Sequence, residues 1–92
     1  MKIINILFDP SFEKKFKKYT NRLSNKELDN LRTKFNIIKE NIFDHRLKTH
    51  KLKGNLKEYY ALSITYSDRL VFKFFDDTSI YLIDIDKHDV VY

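Results

Sequence analysis

The sequence contains no cysteine, and it has one glycine and one proline among its 92 residues. Without cysteine there is no disulfide and no thiolate metal site, and the composition fits a reducing, cytoplasmic environment. One glycine and one proline leave little room for a linker or a low-complexity segment. No apolar run approaches the roughly 18 residues of a membrane span, and the amino-terminal stretch lacks the apolar core of a signal peptide. We therefore expect a single cytoplasmic domain over residues 1–92, with no membrane partner.

Aromatic and basic residues are abundant instead. Eight Phe and six Tyr suit a small core that must bury a large area with few side chains. The net charge is +5, and it is uneven: residues 1–53 carry 14 Lys/Arg against 6 Asp/Glu, whereas residues 54–92 carry 4 against 7. A basic first half favours an anionic partner such as nucleic acid, although the same lysines also keep a small aromatic-rich protein soluble.

The first half has the spacing of one short strand and two helices. Residues Lys2–Phe8 predict the strand, and Asp9-Pro10 supplies an N-cap and a first-turn proline for a helix of about ten residues with a basic outer face. Ser24 and Glu27 have the spacing of a capping box, and the apolar stripe that follows predicts a second helix over residues 25–43. The two helices are expected to form an antiparallel hairpin.

A polar, basic connection is predicted over residues 44–54, and the apolar period then changes from helical spacing to two, which is typical of strands. The predicted strands run from Leu56 to Tyr66, from Arg69 to Phe75 and from Ser79 to Ile85, with a turn at Ser67-Asp68 and a short terminal strand at Val90–Tyr92. The predicted order is β-α-α-β-β-β. This is an α+β fold in which a two-helix hairpin packs on a mostly antiparallel sheet of four to five strands.

Strand parity predicts what each face of this sheet carries. Even positions such as Leu62, Leu70 and Phe72 are expected to face the helices, and the odd positions Arg69 and Lys73 to share the opposite, open face. A polar strip with two cations is what an RNA backbone requires.

Four motifs, in this order, resemble those of the RelE/ParE superfamily of type II toxins, and most of all its YafQ or RelE/StbE-like branch of ribosome-dependent mRNA interferases. They are His50-Lys-Leu-Lys-Gly54, Tyr60-Ala-Leu-Ser-Ile-Thr-Tyr66, Arg69-Leu-Val-Phe72 and Leu82-Ile-Asp-Ile-Asp-Lys-His88-Asp-Val-Val-Tyr92. The resemblance implies a RelE-like fold, a toxin that cuts mRNA in the ribosomal A site, and a cognate antitoxin that blocks it. It implies no metal and no other cofactor, and no histidine spacing suggests a metal site.

The resemblance also implies roles for individual residues. His88 matches the terminal histidine of the family and His50 the histidine of an earlier motif, and histidine can donate or accept a proton near neutral pH. Arg69 can offer a bidentate fork to phosphate oxygens, and Tyr92 can stack on a base or orient the phosphate. Asp68, immediately before Arg69, is the candidate for the acid that the family often places two residues before its arginine.

Further cations are expected to neutralise phosphates of mRNA or ribosomal RNA: Lys51, Lys53, Lys48, Arg46 and Lys73. Three positions depart from the family pattern. Ser63 stands where a histidine is common, Ser67 where an acid is common, and Asp86 where a glycine is expected. Two alternatives therefore stay open, a ParE-like toxin that poisons gyrase and a degenerate member that binds RNA or antitoxin without catalysis.

Overall fold

The structure, a computed structural model, describes residues 1–54 and 58–87. The elements are β1 (Asn5–Phe8), α1 (Pro10–Asn21), α2 (Asn25–Glu40), β2 (His50–Lys51), β3 (Tyr60–Ser63), β4 (Asp68–Asp76) and β5 (Ser79–Lys87), with a 3-10 turn at His45–Leu47. The predicted α+β class and the order of helices and strands are confirmed, with β2 as an additional short strand inside the predicted connection. The predicted terminal strand at Val90–Tyr92 lies outside the described residues. Within the described ranges, no helix is both long enough and apolar enough to span a membrane.

Both helices begin where their capping residues predict. The Asp9 side chain accepts a hydrogen bond from the backbone N–H of Phe12 at 2.8 Å, ahead of Pro10 in the first turn. Ser24 and Glu27 form both bonds of the capping box, at 3.2 and 2.9 Å. These bonds satisfy N–H groups that a helix start leaves without partners.

The amino-terminal segment sets the end of α2, which stops at Glu40 and not at the predicted residue 43. Asn41 is extended, and its side-chain oxygen accepts a hydrogen bond from the amino group of Met1 at 2.7 Å. The backbone N–H of Ile42 donates to the carbonyl of Met1 at 3.0 Å, and that of Ile3 donates to the carbonyl of Lys39 at 2.9 Å. Met1 and Ile3 thus bind the end of α2, and β1 begins later than the predicted Lys2.

The five strands form one sheet in the order β1-β5-β4-β3-β2. The β1–β5 pair is parallel and the other three pairs are antiparallel, so the sheet is mostly antiparallel, as predicted. Strand β3 is shorter than the predicted Leu56–Tyr66, because a turn occupies residues 64–67. In this turn the Thr65 hydroxyl accepts hydrogen bonds from the N–H groups of Ser67 and Asp68, and Asp68 is already the first residue of β4.

The main core lies between the helices and one face of the sheet. Ile38 from α2 is fully buried there with Leu62, Leu70 and Phe72 from the sheet, which confirms the predicted inward direction of the even positions. The opposite face, hereafter the outer face, is less open than predicted. Its odd-numbered Ala61 and Val71 are buried in a second, smaller cluster with Leu52 and Tyr59, because the chain around β2 continues along the edge of β3.

A tyrosine of α1 also binds the sheet directly. The Tyr19 hydroxyl donates a hydrogen bond to Oδ2 of Asp68 at 2.6 Å. Burial, together with this hydrogen bond, raises the pKa of Tyr19 well above its usual range. The bond therefore joins the end of α1 to the start of β4 as long as the hydroxyl keeps its proton.

Replacing Ile38 by Ala should lower the free energy of unfolding by about 2–5 kcal/mol, because it removes apolar contacts and leaves a cavity in the core. Urea denaturation measures the change. The matched control is Ile4→Ala, since Ile4 is 69% exposed, and a surface substitution of this kind changes stability by roughly 0.5 kcal/mol or less. Equal effects of the two substitutions would contradict the placement of the core.

Replacing Tyr19 by Phe should lower the free energy of unfolding by about 1 kcal/mol at neutral pH, since a half-buried hydrogen bond is lost. Because the folded pKa of Tyr19 is raised, this stabilisation is complete below the unfolded tyrosine pKa of about 10 and decreases at higher pH. Urea denaturation of both proteins at several pH values between neutral and alkaline measures whether the stability difference between wild type and Tyr19→Phe decreases as the pH rises. Tyr66→Phe is the control, since Tyr66 is 99% exposed, and an equal loss in both variants would be evidence against the bond.

Candidate nucleic-acid interface

Side chains from four strands meet on the outer face of the sheet. One cross-strand row joins His50 to Ala61, Val71 and Asp84, and the next row joins Ser63 to Arg69 and Asp86. Directly paired residues project to the same side of a sheet. The imidazole, the guanidinium and two carboxylates therefore share this face.

The two candidate residues His50 and Arg69 lie on strands that flank β3 and belong to neighbouring rows. Strand spacing and residue rise place their Cα atoms roughly 12 Å apart. Both side chains are long enough to extend toward the space between them. This separation suits two groups that contact neighbouring points of one extended anion, such as an RNA backbone.

The conformation of the preceding turn orients the imidazole of His50. Lys48 has a positive φ of 53°, and its carbonyl oxygen lies 3.0 Å from Nδ1 of His50. A carbonyl accepts and cannot donate, so Nδ1 carries the proton in this contact. The Nε2 atom is then the nitrogen of this exposed ring that can accept a proton from a substrate.

An apolar floor separates the polar groups of the outer face. It consists of Leu52, Ala61 and Val71 with the half-buried Tyr59. The ammonium group of Lys73 lies 6.0 Å from the centre of the Tyr59 ring, at the limit of a cation–π contact. Of the five cations predicted to bind phosphates, Lys73 is the one that shares this face with Arg69.

The other four predicted cations lie in or next to β2 and the 3-10 turn that precedes it. Arg46 binds Asp44 with two hydrogen bonds, at 2.9 and 3.0 Å, and these bonds hold the pKa of Asp44 well below its usual range. Lys51 pairs with Tyr60, whose ring packs against the main core, so Lys51 projects away from the side of His50. Lys48 and Lys53 are exposed next to β2.

Asp68, the candidate acid, and Arg69 lie on opposite sides of the sheet. Asp68 points toward α1, where it accepts the hydrogen bond of Tyr19, whereas Arg69 lies on the outer face. Consecutive strand residues project to opposite sides, and the described pairing at this point is regular. His88 and Tyr92 lie outside the described residues.

A cleft of about 520 Å³, which the sequence pattern does not predict, lies between the end of α1 and the end of β5. Its charged lining consists of Lys15, Lys18 and Arg22 with Asp68 and Asp86. Lys15, Lys18 and Arg22 are spaced by three and four residues, which places them on one side of α1. This spacing is the feature of the sequence that indicates a basic surface at this position. The sequence predicts a basic outer face for this helix, yet the ammonium group of Lys15 lies 2.5 Å from Asp84 and 3.4 Å from Asp86.

Comparisons with known proteins agree with this architecture. No protein-family model matches the sequence, and no curated protein sequence is similar to it. Among solved structures, a chain of the YoeB–YefM complex from Staphylococcus aureus is 29% identical, with a TM-score of 0.69 over 92% of this chain and 97% of that chain. A YoeB/ParE toxin from Agrobacterium tumefaciens is 17% identical, with a TM-score of 0.68 over 92% and 99%.

A third solved structure is the toxin–antitoxin complex DinJ–YafQ from E. coli. The matched chain is 18% identical, with a TM-score of 0.70 over 96% of this chain and 94% of that chain. The structural neighbours are thus toxins of toxin–antitoxin systems, and both YoeB and YafQ are among them. The resemblance inferred from the sequence is therefore confirmed, and this chain carries the fold of the RelE/ParE-like toxin superfamily.

Proposed function

We propose that the protein is the toxin of a type II toxin–antitoxin pair and that it cleaves mRNA bound to the ribosome. The observation that carries this proposal is the position of His50 and Arg69 on one face of a RelE-like sheet, with Lys73 beside them. An imidazole and two cations on an apolar floor match the requirements of phosphate-ester chemistry on RNA.

In the proposed reaction the 2′-hydroxyl of the RNA attacks the adjacent phosphorus. The new 2′-O–P bond forms as the P–O5′ bond breaks, which leaves a 2′,3′-cyclic phosphate and a 5′-hydroxyl. One group must take the 2′-hydroxyl proton, another must give a proton to the departing 5′-oxygen, and cations must balance charge on the phosphate. This route uses the RNA itself as nucleophile and assigns no step to a metal ion.

Named residues fit these three tasks. The Nε2 atom of His50 is placed to exchange a proton, and Arg69 can bind the phosphate oxygens through its planar fork. We assign the second proton transfer to His88, which follows directly after the last residue of β5, and stacking on a base to Tyr92. Because Asp68 points to α1, we assign it to the Tyr19 hydrogen bond and not to the reaction.

The proposed partners are the ribosome with its mRNA and a cognate protein antitoxin. Support for an antitoxin comes from the YoeB–YefM and DinJ–YafQ complexes among the structural neighbours. The net charge of +5 favours approach to the ribosome, whose RNA is a dense array of phosphates.

Purified protein should cut mRNA on translating ribosomes, and His50→Ala should slow the cut by about 10²–10⁴-fold, as expected for loss of a proton-transfer group. Arg69→Ala should slow it by about 10²-fold or more, because charge on the phosphate is no longer balanced. Primer extension on the mRNA of a reconstituted translation reaction measures the rate. His45→Ala is the control, since the His45 side chain is 91% exposed.

Other outcomes of this experiment would favour other functions. Cleavage by His50→Ala, Arg69→Ala and His88→Ala at the wild-type rate would contradict the assigned site. Intact mRNA together with DNA damage in cells that express the wild-type protein would favour a gyrase poison. Tight ribosome binding without any cleavage would favour a degenerate member of the superfamily.

A further inference from the structure

A row of half-buried side chains crosses the outer face next to the candidate site. Lys73 on β4 pairs directly with Tyr81 on β5, and Tyr81 pairs with Leu7 on β1. Directly paired residues project to the same side of a sheet. On the other side of Lys73, its ammonium group lies 6.0 Å from the centre of the Tyr59 ring. Two tyrosines and a leucine thus share this face with a central lysine, and these four residues are hereafter the tyrosine row.

The side chains of the tyrosine row keep part of their surface in contact with solvent, since all four are half-buried. Within the part of the chain that the structure describes, Lys73 forms no ion pair with a carboxylate. A tyrosine combines an apolar ring with a polar tip, which suits a surface where a partner binds in the presence of water. The row is therefore a candidate contact surface and not a part of the buried core.

The tyrosine row continues the surface to which the proposed function assigns the RNA. Along β4, Arg69 comes first, Val71 from the row of His50 lies two residues later, and Lys73 follows after two more. The rise of an extended strand places the Cα atoms of Arg69 and Lys73 about 13 Å apart. A single RNA strand that extends along β4 from Arg69 would therefore pass over the tyrosine row with the nucleotides on one side of the reacting phosphate.

The chemistry of the row favours single-stranded RNA over a protein surface. Aromatic rings stack on unpaired bases of any sequence, and a neighbouring cation balances the charge of the backbone. Lysine, by contrast, is depleted at the centre of protein–protein interfaces. Because Lys73 lies between Tyr59 and Tyr81, the row combines rings for bases with a cation for a phosphate.

We propose that the tyrosine row is a base-stacking site for single-stranded RNA, in which Tyr59 and Tyr81 stack on bases to one side of the cleaved bond and Lys73 binds a phosphate between them. This inference rests on the proposed function and deepens it, since it assigns a surface to the substrate. The row takes no part in proton transfer. Its role is to hold the RNA strand along β4, so that the reacting phosphate stays near His50 and Arg69.

The first test is the binding of a short, fluorescently labelled single-stranded RNA, followed by anisotropy, with Tyr81→Leu as the variant. Leucine keeps an apolar side chain and removes the aromatic face. We expect binding to weaken roughly 5- to 100-fold, as for the loss of one base-stacking contact. Tyr81→Phe keeps the ring and should bind like the wild type. The matched control is Tyr66→Leu, since Tyr66 is 99% exposed on the turn before β4.

Two further measurements separate stacking from attraction by charge. Lys73→Met should lower the dependence of binding on log salt by about 1, whereas Tyr81→Leu should leave that dependence unchanged. An RNA in which one nucleotide lacks its base should bind the wild type less tightly when the missing base is a stacked one. Tyr81→Leu should be insensitive to the loss of that base. Equal sensitivity of both proteins at every position of the RNA would overturn the stacking.

Cleavage on translating ribosomes gives a second readout, which also covers the case in which RNA binds only in the ribosome. Tyr81→Leu should raise the protein concentration needed for half-maximal cleavage and leave the maximal rate nearly unchanged. His50→Ala should instead lower the maximal rate. Thermal unfolding of each variant shows whether the fold is kept, and Tyr59→Leu is the second variant if Tyr81→Leu does not fold.

These outcomes distinguish the inference from the proposed function. If the wild type cuts mRNA but the leucine variants bind RNA and cut it as well as the wild type, the stacking site is refuted and the function stands. The tyrosine row would then be a surface for a protein partner. RNA binding that depends on Tyr81, without any cleavage, would support the stacking site and contradict the nuclease. If the wild type neither binds RNA nor cuts it, both are refuted.

Discussion

The antiparallel pairing of β4 with β5 is the constraint on which the rest of this structure depends. It is the longest pairing in the described sheet, with nine residues in each strand. The same register buries Leu70 and Phe72 against the helices and places Arg69 beside Asp86 on the outer face. A slip by one residue would expose the core residues and turn the guanidinium toward the helices. Hydrophobic burial and the chemistry of the candidate site are thus fixed by one set of backbone hydrogen bonds.

Local signals predict much of this architecture, and contacts between distant residues account for the rest. Capping residues mark the start of both helices, and alternation marks the inward positions of β3 and β4. The end of α2 depends instead on its hydrogen bond with Met1. The direction of the Asp68 side chain depends on the turn that the Thr65 hydroxyl stabilises. The partner of Lys15 lies on a strand about seventy residues later in the sequence. No local propensity records such contacts. His50 shares a face with Arg69 because the two-residue strand β2 pairs with β3. The sequence pattern does not predict this short strand.

The positive charge of this chain has two roles, because some cations pair with carboxylates of the same chain and others lie on its surface. The basic first half and the acidic second half meet where α1 borders the end of β5, and there Lys15 binds Asp84 and Asp86. Some of the positive charge is therefore paired with carboxylates of the same chain. Arg46 is a second example, since it binds Asp44. Two further groups of cations lie in different regions of the surface, Arg69 with Lys73 on the outer face and Lys18 with Arg22 along the α1 cleft. A long anion can contact both regions, whereas a single phosphate contacts one.

The left-handed turn at Lys48 makes the orientation of the imidazole sensitive to chain length. Strand β2 has two residues, and the Thr49 hydroxyl joins the turn to the carbonyl of Ile42 at 2.6 Å. Insertion of a single codon between Thr49 and His50 would move His50 one position along the strand and so reverse its direction, with little effect on the buried core. Evolution could thus remove this imidazole from the outer face, or restore it, by a change in spacing without any substitution of the histidine itself.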